Sequence, residues 1–193
     1  PLNEFHNAVP GNTASLKSLI KMNILIVNHY AGSQKMGMEY RPYYLAKEWI
    51  KNGHKVTIIG ASYSHVRSVQ PMIKGKLTLE NIEDINYYWV KTPVYSGNSA
   101  TRILNIFSFV FYIWRRAKYF ANIIKPDVVI ASSTYPFDNL AVNKIAKAAN
   151  AKYVYEIHDL WPLTPKELGG YSKYNIFIMI MQAAENQAYK NCN

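Results

Sequence analysis

Residues 23–60 read NILIVNHYAGSQKMGMEYRPYYLAKEWIKNGHKVTIIG, and this stretch decides the fold. Its first six residues, 23–28, form a short, mostly apolar run, which is typical of a strand covered on both faces in a parallel sheet. Four residues then recur at helical spacing: Pro42, Leu45, Ala46 and Trp49. Gly53 is placed to end that helix as a C-cap, and residues 55–60 supply a second buried strand. The stretch therefore predicts a βαβ unit with a right-handed crossover.

The rest of the chain continues the alternation of strands and helices. Residues 62–95 alternate only in places, which is consistent with a hairpin or with a strand after a loop. Residues 102–125 are predicted to form one long helix that buries a wide apolar face and carries a narrow polar stripe. The stripe comprises Asn105, Ser108, Tyr112, Arg115, Tyr119 and Asn122. A strand, a helix and a strand are expected at residues 127–131, 136–149 and 152–157. The predicted fold class is α/β, with a Rossmann-like doubly wound parallel sheet.

Composition predicts an ordered domain with a basic surface. The chain has 193 residues, of which 49% are hydrophobic and 18% are charged. That length and composition suit one well-buried core. The formal net charge of +10 favours a partner that carries phosphates, or an anionic membrane surface. The basic residues form no block and no RNA-binding motif is present, so nucleic acid is not expected as a partner.

The sequence also bears on compartment and domain limits. Cys192 is the single cysteine, which excludes an internal disulfide and a cysteine-based zinc site and favours a reducing compartment. No run is long and apolar enough to span a membrane, and the first residues lack the order of a signal peptide. We expect a cytoplasmic protein that rests on the inner face of the cytoplasmic membrane. Residues 1–21 are interpreted as an added or disordered extension, and residues 22–193 as the folded domain.

Candidate ligand-binding residues lie where the predicted strands end. Open parallel sheets bind ligands beyond the carboxyl ends of their strands, which here are followed by polar residues at 28–30, 132–134 and 156–159. The loop after the first strand contains Gly32 and Gly37 and leads into a helix N-terminus, where free backbone N–H groups suit a phosphate. Both glycines are equally consistent with ordinary turns. The spacing matches neither GxGxxG nor a P-loop, which disfavours a dinucleotide dehydrogenase and a P-loop enzyme.

The first strand with its Gly-bearing loop and four motifs together resemble family 4 glycosyltransferases of the GT-B architecture. The motifs are E-x-R-x-x-x-L-A at residues 39–46, GHKV at 53–56, KPDVV at 125–129 and EIHDLWP at 156–162. Their order and spacing are similar to those of the family's amino-terminal domain. The likeness is greatest to the bacterial branch that builds O-antigen and capsule chains, including transferases similar to N-acetylfucosamine transferases.

The resemblance implies an activity that is divided between two domains. A sugar would pass from a nucleotide-diphosphate donor, with retention and without a metal or other cofactor, to an acceptor held by the amino-terminal domain. The acceptor is expected to be polyprenyl-linked, and the donor to be bound by a carboxy-terminal domain. We therefore expect residues 22–193 to be a truncated acceptor-binding domain, inactive alone. The alternative is a non-catalytic Rossmann-like module that docks to a membrane or a partner.

Five residues receive site roles from the resemblance. His158 matches the histidine that approaches the donor sugar and makes a polar contact there, although a structural histidine at a strand end is the alternative. Asp159 is expected to orient His158 or to cap the next turn. Gly37 matches the glycine that lets the loop backbone approach the donor. His29 and Arg41 are expected to bind the acceptor, Arg41 through a phosphate, unless Arg41 is simply an exposed helical residue.

The helix predicted at residues 102–125 also has a composition suited to a membrane surface. It combines large apolar side chains with basic residues near its ends. The residues assigned to docking on an anionic membrane are Phe107, Phe111, Trp114, Arg115 and Arg116. The alternative is a crossover helix buried against the sheet, which would account for much of the apolar face.

Overall fold

The computed structural model describes residues 21–97 and 100–193. The extension predicted at residues 1–21 therefore lies, apart from Lys21, outside the described residues. In chain order the strands are β1 (Asn23–Val27), β2 (Lys55–Ala61), β3 (Leu77–Ile82), β4 (Ile85–Val90), β5 (Val128–Ala131) and β6 (Lys152–Tyr155). The helices are α1 (Arg41–Lys51), α2 (Ala100–Arg115), α3 (Ala117–Ile124), α4 (Asp138–Ala149), α5 (Leu163–Glu167) and α6 (Ile176–Asn191).

The strands form one sheet in the order β3-β4-β2-β1-β5-β6. All neighbouring strands are parallel except β3 and β4, which form an antiparallel hairpin. Of the two alternatives that the sequence of residues 62–95 allowed, a hairpin or a strand after a loop, the structure has the hairpin. Its turn residues, Glu83 and Asp84, both have positive φ, as a two-residue hairpin turn requires, and such a turn is too short for a parallel crossover.

Two apolar cores cover the two faces of the sheet. Because side chains alternate along a strand, Leu25 and Val27 pack into one core and Ile24 and Ile26 into the other. Helices α2, α3, α4 and α6 contribute to the first core, and α1 contributes to the second. Helices on both faces of a mostly parallel sheet make a doubly wound α/β domain, which confirms the predicted fold class.

The single helix predicted at residues 102–125 is wrong. Arg116 leaves helical geometry, with φ −98° and ψ 13°, and separates α2 from α3. This break lets Ala117 and Phe120 at the start of α3 stay fully buried in the core that α2 also lines.

The wide buried apolar face predicted for that helix is also wrong, because part of the face lies on the surface and one residue of the polar stripe is buried. Asn105 is fully buried, and its amide donates to the carbonyl of Pro93 at 2.6 Å and to the hydroxyl of Thr92 at 3.0 Å. Several apolar side chains of α2 lie on the surface instead: Ile103, Leu104, Phe107, Phe111 and Trp114. The buried amide satisfies backbone and side-chain groups at the end of the sheet, and this fixes which side of α2 turns inward.

Candidate functional site

Five polar side chains meet at the carboxyl edge of β1, β5 and β6. Asn28 follows β1, Ser132 follows β5, and Glu156 follows β6. Since these three strands are parallel neighbours, the residues that follow them lie side by side. His158 comes from the turn after β6, and Arg41 from the first position of α1. We call this group the strand-end cluster.

Glu156 is the centre of the strand-end cluster. Its Oε1 accepts a hydrogen bond from Nε of Arg41 at 2.6 Å, and Nη2 of the same guanidinium forms an ion pair with it, also at 2.6 Å. Its Oε2 accepts from the hydroxyl of Ser132 at 2.7 Å and lies 3.3 Å from Nε2 of His158. Nε2 of His158 is also 3.0 Å from the Ser132 oxygen. One carboxylate thus joins side chains from three separate parts of the chain.

The cluster is anchored to the sheet by Asn28, which is fully buried. Its amide nitrogen donates to the carbonyl of Ser132 at 2.5 Å, and its amide oxygen accepts the backbone N–H of Tyr30 at 2.9 Å. These bonds tie the end of β1 to the end of β5. Ser132 is therefore held in a position from which its hydroxyl reaches Glu156.

The electrostatics of the cluster follow from its hydrogen bonds. Partial burial favours a neutral Glu156, but hydrogen bonds from His158, Ser132 and Arg41 outweigh it and lower the pKa of that carboxyl to about 2. The hydrogen bond to Glu156 in turn raises the pKa of His158, against the opposing effect of burial. Near neutral pH the cluster contains one anion, the Arg41 cation and a histidine biased toward its charged form. Such an edge is suited to a ligand with phosphate groups.

The same pKa values fix how the cluster contributes to stability. The contribution of Glu156 is present above its ordinary pKa of 4.5 and is lost as the pH falls through about 2. The contribution of His158 is fully present below its ordinary pKa of 6.5 and is lost as the pH rises through its raised value.

Two residues assigned from the sequence, Arg41 and His158, meet in the cluster through Glu156. Asp159 is exposed, and its backbone carbonyl accepts the N–H of Trp161 at 2.8 Å. It shapes the turn before Pro162, whereas Glu156 and Ser132 orient His158. Glu156 received no role from the sequence. The sequence feature that could have identified Glu156 is its position at a strand end, two residues before His158. Alternate residues of an extended chain point to the same side, so the two side chains can meet.

His29 lies apart from the cluster, inside the core. The ring is fully buried, stacks on Tyr30 and packs against Phe109, and its Nδ1 is 2.5 Å from the hydroxyl of Tyr135. Burial, reinforced by the positive charge of Arg67, lowers the pKa of His29 to about 3, so the ring is neutral. The sequence interpretation expected His29 to bind the acceptor. The structure instead places the ring in the core and not in an open cleft.

Gly37 lies in a tightly packed part of the loop between β1 and α1. Its φ is +90°, and a Cβ built there would lie 3.0 Å from Oγ of Ser68. Its N–H donates to the carbonyl of Ser33 at 3.0 Å, and it forms isolated bridges with Ser33 and Arg67. The backbone conformation and the close neighbour both explain a glycine here.

Comparison with known proteins identifies the family of the chain. A family model described as Glycosyltransferase Family 4 matches residues 36–192. No curated protein is similar enough to the chain to match it.

Two solved structures illustrate the looser structural likenesses. The C-terminal domain of a hydrogenase from Pyrococcus furiosus is 14% identical, with 69% of this chain and 89% of that chain covered and a TM-score of 0.48. The SurE protein from Aquifex aeolicus is 12% identical, with 86% of this chain and 58% of that chain covered and a TM-score of 0.34. Overlaps this loose do not bear on function.

The coupling of His158 to Glu156 can be measured directly. Replacing the carboxylate in Glu156→Gln removes the charge that stabilises the protonated imidazole, so the pKa of His158 is expected to fall below its wild-type value. An NMR titration of the His158 ring, assigned with His158→Gln, measures this change. Glu185→Gln, on α6, is the matched control and should leave the titration unchanged. A His158 pKa that is the same in Glu156→Gln as in the wild type contradicts the geometry.

Proposed function

The chain belongs to glycosyltransferase family 4, and from this premise we propose that its strand-end cluster is the acceptor-side half of a sugar-transfer site. The donor is a nucleotide-diphosphate sugar, bound by a second domain of the full-length protein. The chain by itself is then inactive. The single observation that carries this proposal is the cluster itself, in which Glu156 holds Arg41 and His158 together at the ligand-binding edge of the sheet.

The cluster suits the charges that sugar transfer creates. When the glycosidic bond of the donor breaks, negative charge develops on the departing diphosphate. With neither a metal ion nor another cofactor, N–H groups and cations aimed at that charge must stabilise it. His158 is protonated more readily than an ordinary histidine and makes a polar contact at the reacting centre. Arg41, held to Glu156 by a hydrogen bond from Nε and by an ion pair through Nη2, presents the rest of an exposed guanidinium to an acceptor phosphate.

The finer parts of the proposal rest on the motif likeness. The transfer proceeds with retention of configuration, and the acceptor is a polyprenyl-linked sugar in O-antigen or capsule synthesis, as in transferases similar to N-acetylfucosamine transferases. Gly37 contacts the donor through its loop backbone. Asp159 supports the turn that presents His158.

The role of His158 is tested by turnover in the full-length protein. His158→Ala removes a preorganised polar contact that is made in the transition state, so turnover is expected to fall by at least about tenfold. The measurement is sugar transfer at saturating donor and acceptor, with folding followed by thermal melting. His54→Ala is the matched control, because His54 lies in the turn before β2, where its Nδ1 accepts the N–H of Met22. Near-normal turnover in His158→Ala refutes the assignment.

We further propose that α2 docks the protein on the cytoplasmic face of an anionic membrane. Phe107, Phe111 and Trp114 lie on its surface, although the Lys144 ammonium covers part of the Trp114 ring at 3.5 Å. Arg115 and Arg116 are exposed beside them. Residues 100–124 include no acidic side chain. Within the described part of the chain, no helix is long and apolar enough to cross a membrane.

The same exposed face supports a second candidate function. A non-catalytic docking module would use α2 as described and would need no strand-end cluster. The two candidates differ in whether the full-length protein transfers sugar and whether His158 affects that transfer.

Membrane docking predicts salt-sensitive binding to vesicles of phosphatidylcholine and phosphatidylglycerol. Phe111 is 59% exposed. Moving a fully exposed side chain of this kind out of water contributes about 1.5–3 kcal/mol, and Phe111 has somewhat more than half of its surface to bury, so Phe111→Ser should weaken binding about four- to twentyfold. Added salt should weaken wild-type binding because it screens the basic residues, each worth about 1 kcal/mol near the surface. Co-sedimentation measures both effects.

The matched control for this prediction is Leu79→Ser on the edge strand β3, since Leu79 is 56% exposed on another element. Both variants should keep the wild-type melting temperature. Equal vesicle binding by Phe111→Ser and Leu79→Ser contradicts docking through α2.

A further inference from the structure

A cavity of about 500 Å³ is lined in part by residues that follow the strand-end cluster in the chain. Its wall is built from the first turns of α2, the loop after β5, the segment that contains α5, and α6. An opening of this size lies within the range of ligand sites, which is roughly 300–1,000 Å³.

The wall has the chemistry of a site for an anionic amphiphile. Most of its side chains are aliphatic or aromatic, among them Ile106, Phe137, Trp161 and Met181. Among the described residues of the wall, Arg102 carries the single charge. An apolar cavity with one cation suits a molecule that has a hydrocarbon chain and one acidic group.

The Arg102 guanidinium is held in place at this wall. Its Nη2 donates to the hydroxyl of Tyr30 at 3.3 Å, and Tyr30 also lines the cavity. A guanidinium has five N–H donors in a fixed planar fork, and this geometry matches phosphate oxygens. Arg102 is therefore the group in the wall whose chemistry suits an acidic head group.

The cavity borders the exposed face of α2, and part of its wall comes from the segments that carry the strand-end cluster. Two of its wall residues follow cluster residues closely in the chain: Thr134 comes two positions after Ser132, and Trp161 three positions after His158. On the other side, Ile103 both lines the cavity and is exposed on α2. Phe107, one helical turn further along, packs against the cavity residue Phe137 with 5.1 Å between ring centroids. A lipid chain can therefore pass from the α2 surface into the cavity, with its head group at Arg102.

We propose that this cavity binds the first isoprenoid units and the lipid-side phosphate of the lipid-linked acceptor, with Arg102 contacting that phosphate. The assignment rests on the proposed function for the class of acceptor, and it adds the place where the lipid enters the protein. In this assignment α2 has a second role. The face that lies on the membrane also borders the entrance through which the acceptor reaches the cavity.

The test uses farnesyl phosphate, below the concentration at which it forms micelles, as the probe in isothermal titrations with the chain. In Ile103→Trp the larger ring fills the entrance, so the dissociation constant should rise at least about tenfold. Ile123→Trp on α3 is the matched control, because both isoleucines are 43% exposed and Ile123 lies outside the cavity wall. It should bind within about twofold of the wild type.

Two further probes separate the parts of the ligand. Farnesol, which lacks the phosphate, should bind more weakly than farnesyl phosphate, and Arg102→Gln should reduce that difference. Oleate is the competing amphiphile. Oleate binding as tight as that of farnesyl phosphate overturns the isoprenoid phosphate assignment, and so does the absence of farnesyl phosphate binding to the wild type.

Photolabelling gives a readout that does not depend on a variant. A diazirine analogue of farnesyl phosphate should label the peptides that contain Trp161 and Met181. Labelling confined to other peptides overturns the proposal, as does an equal loss of binding in Ile103→Trp and Ile123→Trp.

The full-length protein distinguishes a failure of this site from a failure of the proposed function. If it transfers sugar but Ile103→Trp leaves the KM for a polyprenyl-linked acceptor unchanged, the cavity assignment fails and the proposed function stands. If farnesyl phosphate binds as described but no sugar is transferred, the proposed function fails while the cavity remains a lipid site.

Discussion

The half-buried carboxylate of Glu156 is the constraint on which the candidate site depends. Its oxygens join the N-terminus of α1, the end of β5 and the turn after β6, and without it no described contact links Arg41 to His158. A carboxylate in this setting is stable because hydrogen bonds compensate for its burial. Loss of one partner of a buried polar group costs about 1–3 kcal/mol. The cluster is therefore expected to form or fail as a unit.

The strand order explains why this carboxylate can reach so many groups. β1, β5 and β6 are adjacent and parallel, so the residues after them share one edge, and Asn28 fixes the spacing between the first two strand ends. Helix α2 packs on one face of this sheet, and the buried amide of Asn105 orients it there. That orientation turns the apolar side chains of α2 outward and leaves the cavity between α2 and α6. The cluster, the cavity and the exposed helix face thus follow from one sheet topology.

The parts of this arrangement that depend on a local sequence pattern could be predicted from the sequence. The βαβ unit at residues 23–60 and the polar strand ends carry clear period and composition signals, and the structure has both. The prediction failed for residues 102–125, because a helix with apolar residues on most sides has no periodicity that says which side is buried. The buried side is determined by the hydrogen bonds of Asn105 to Thr92 and Pro93, which lie more than ten positions away in the chain. Glu156 and His29 show the same limit, since hydrogen bonding and burial depend on residues far apart in sequence.

Sugar transfer by the full-length protein tests the central claim most directly. The protein is incubated with a panel of radiolabelled nucleotide-diphosphate sugars and vesicles that contain polyprenyl-diphosphate-linked sugar, and the label is followed into the organic-soluble fraction. We expect at least one donor to label the lipid fraction, in a reaction that needs the lipid acceptor and persists in a chelator. Label that stays in the aqueous fraction with every donor and acceptor of the panel contradicts the account.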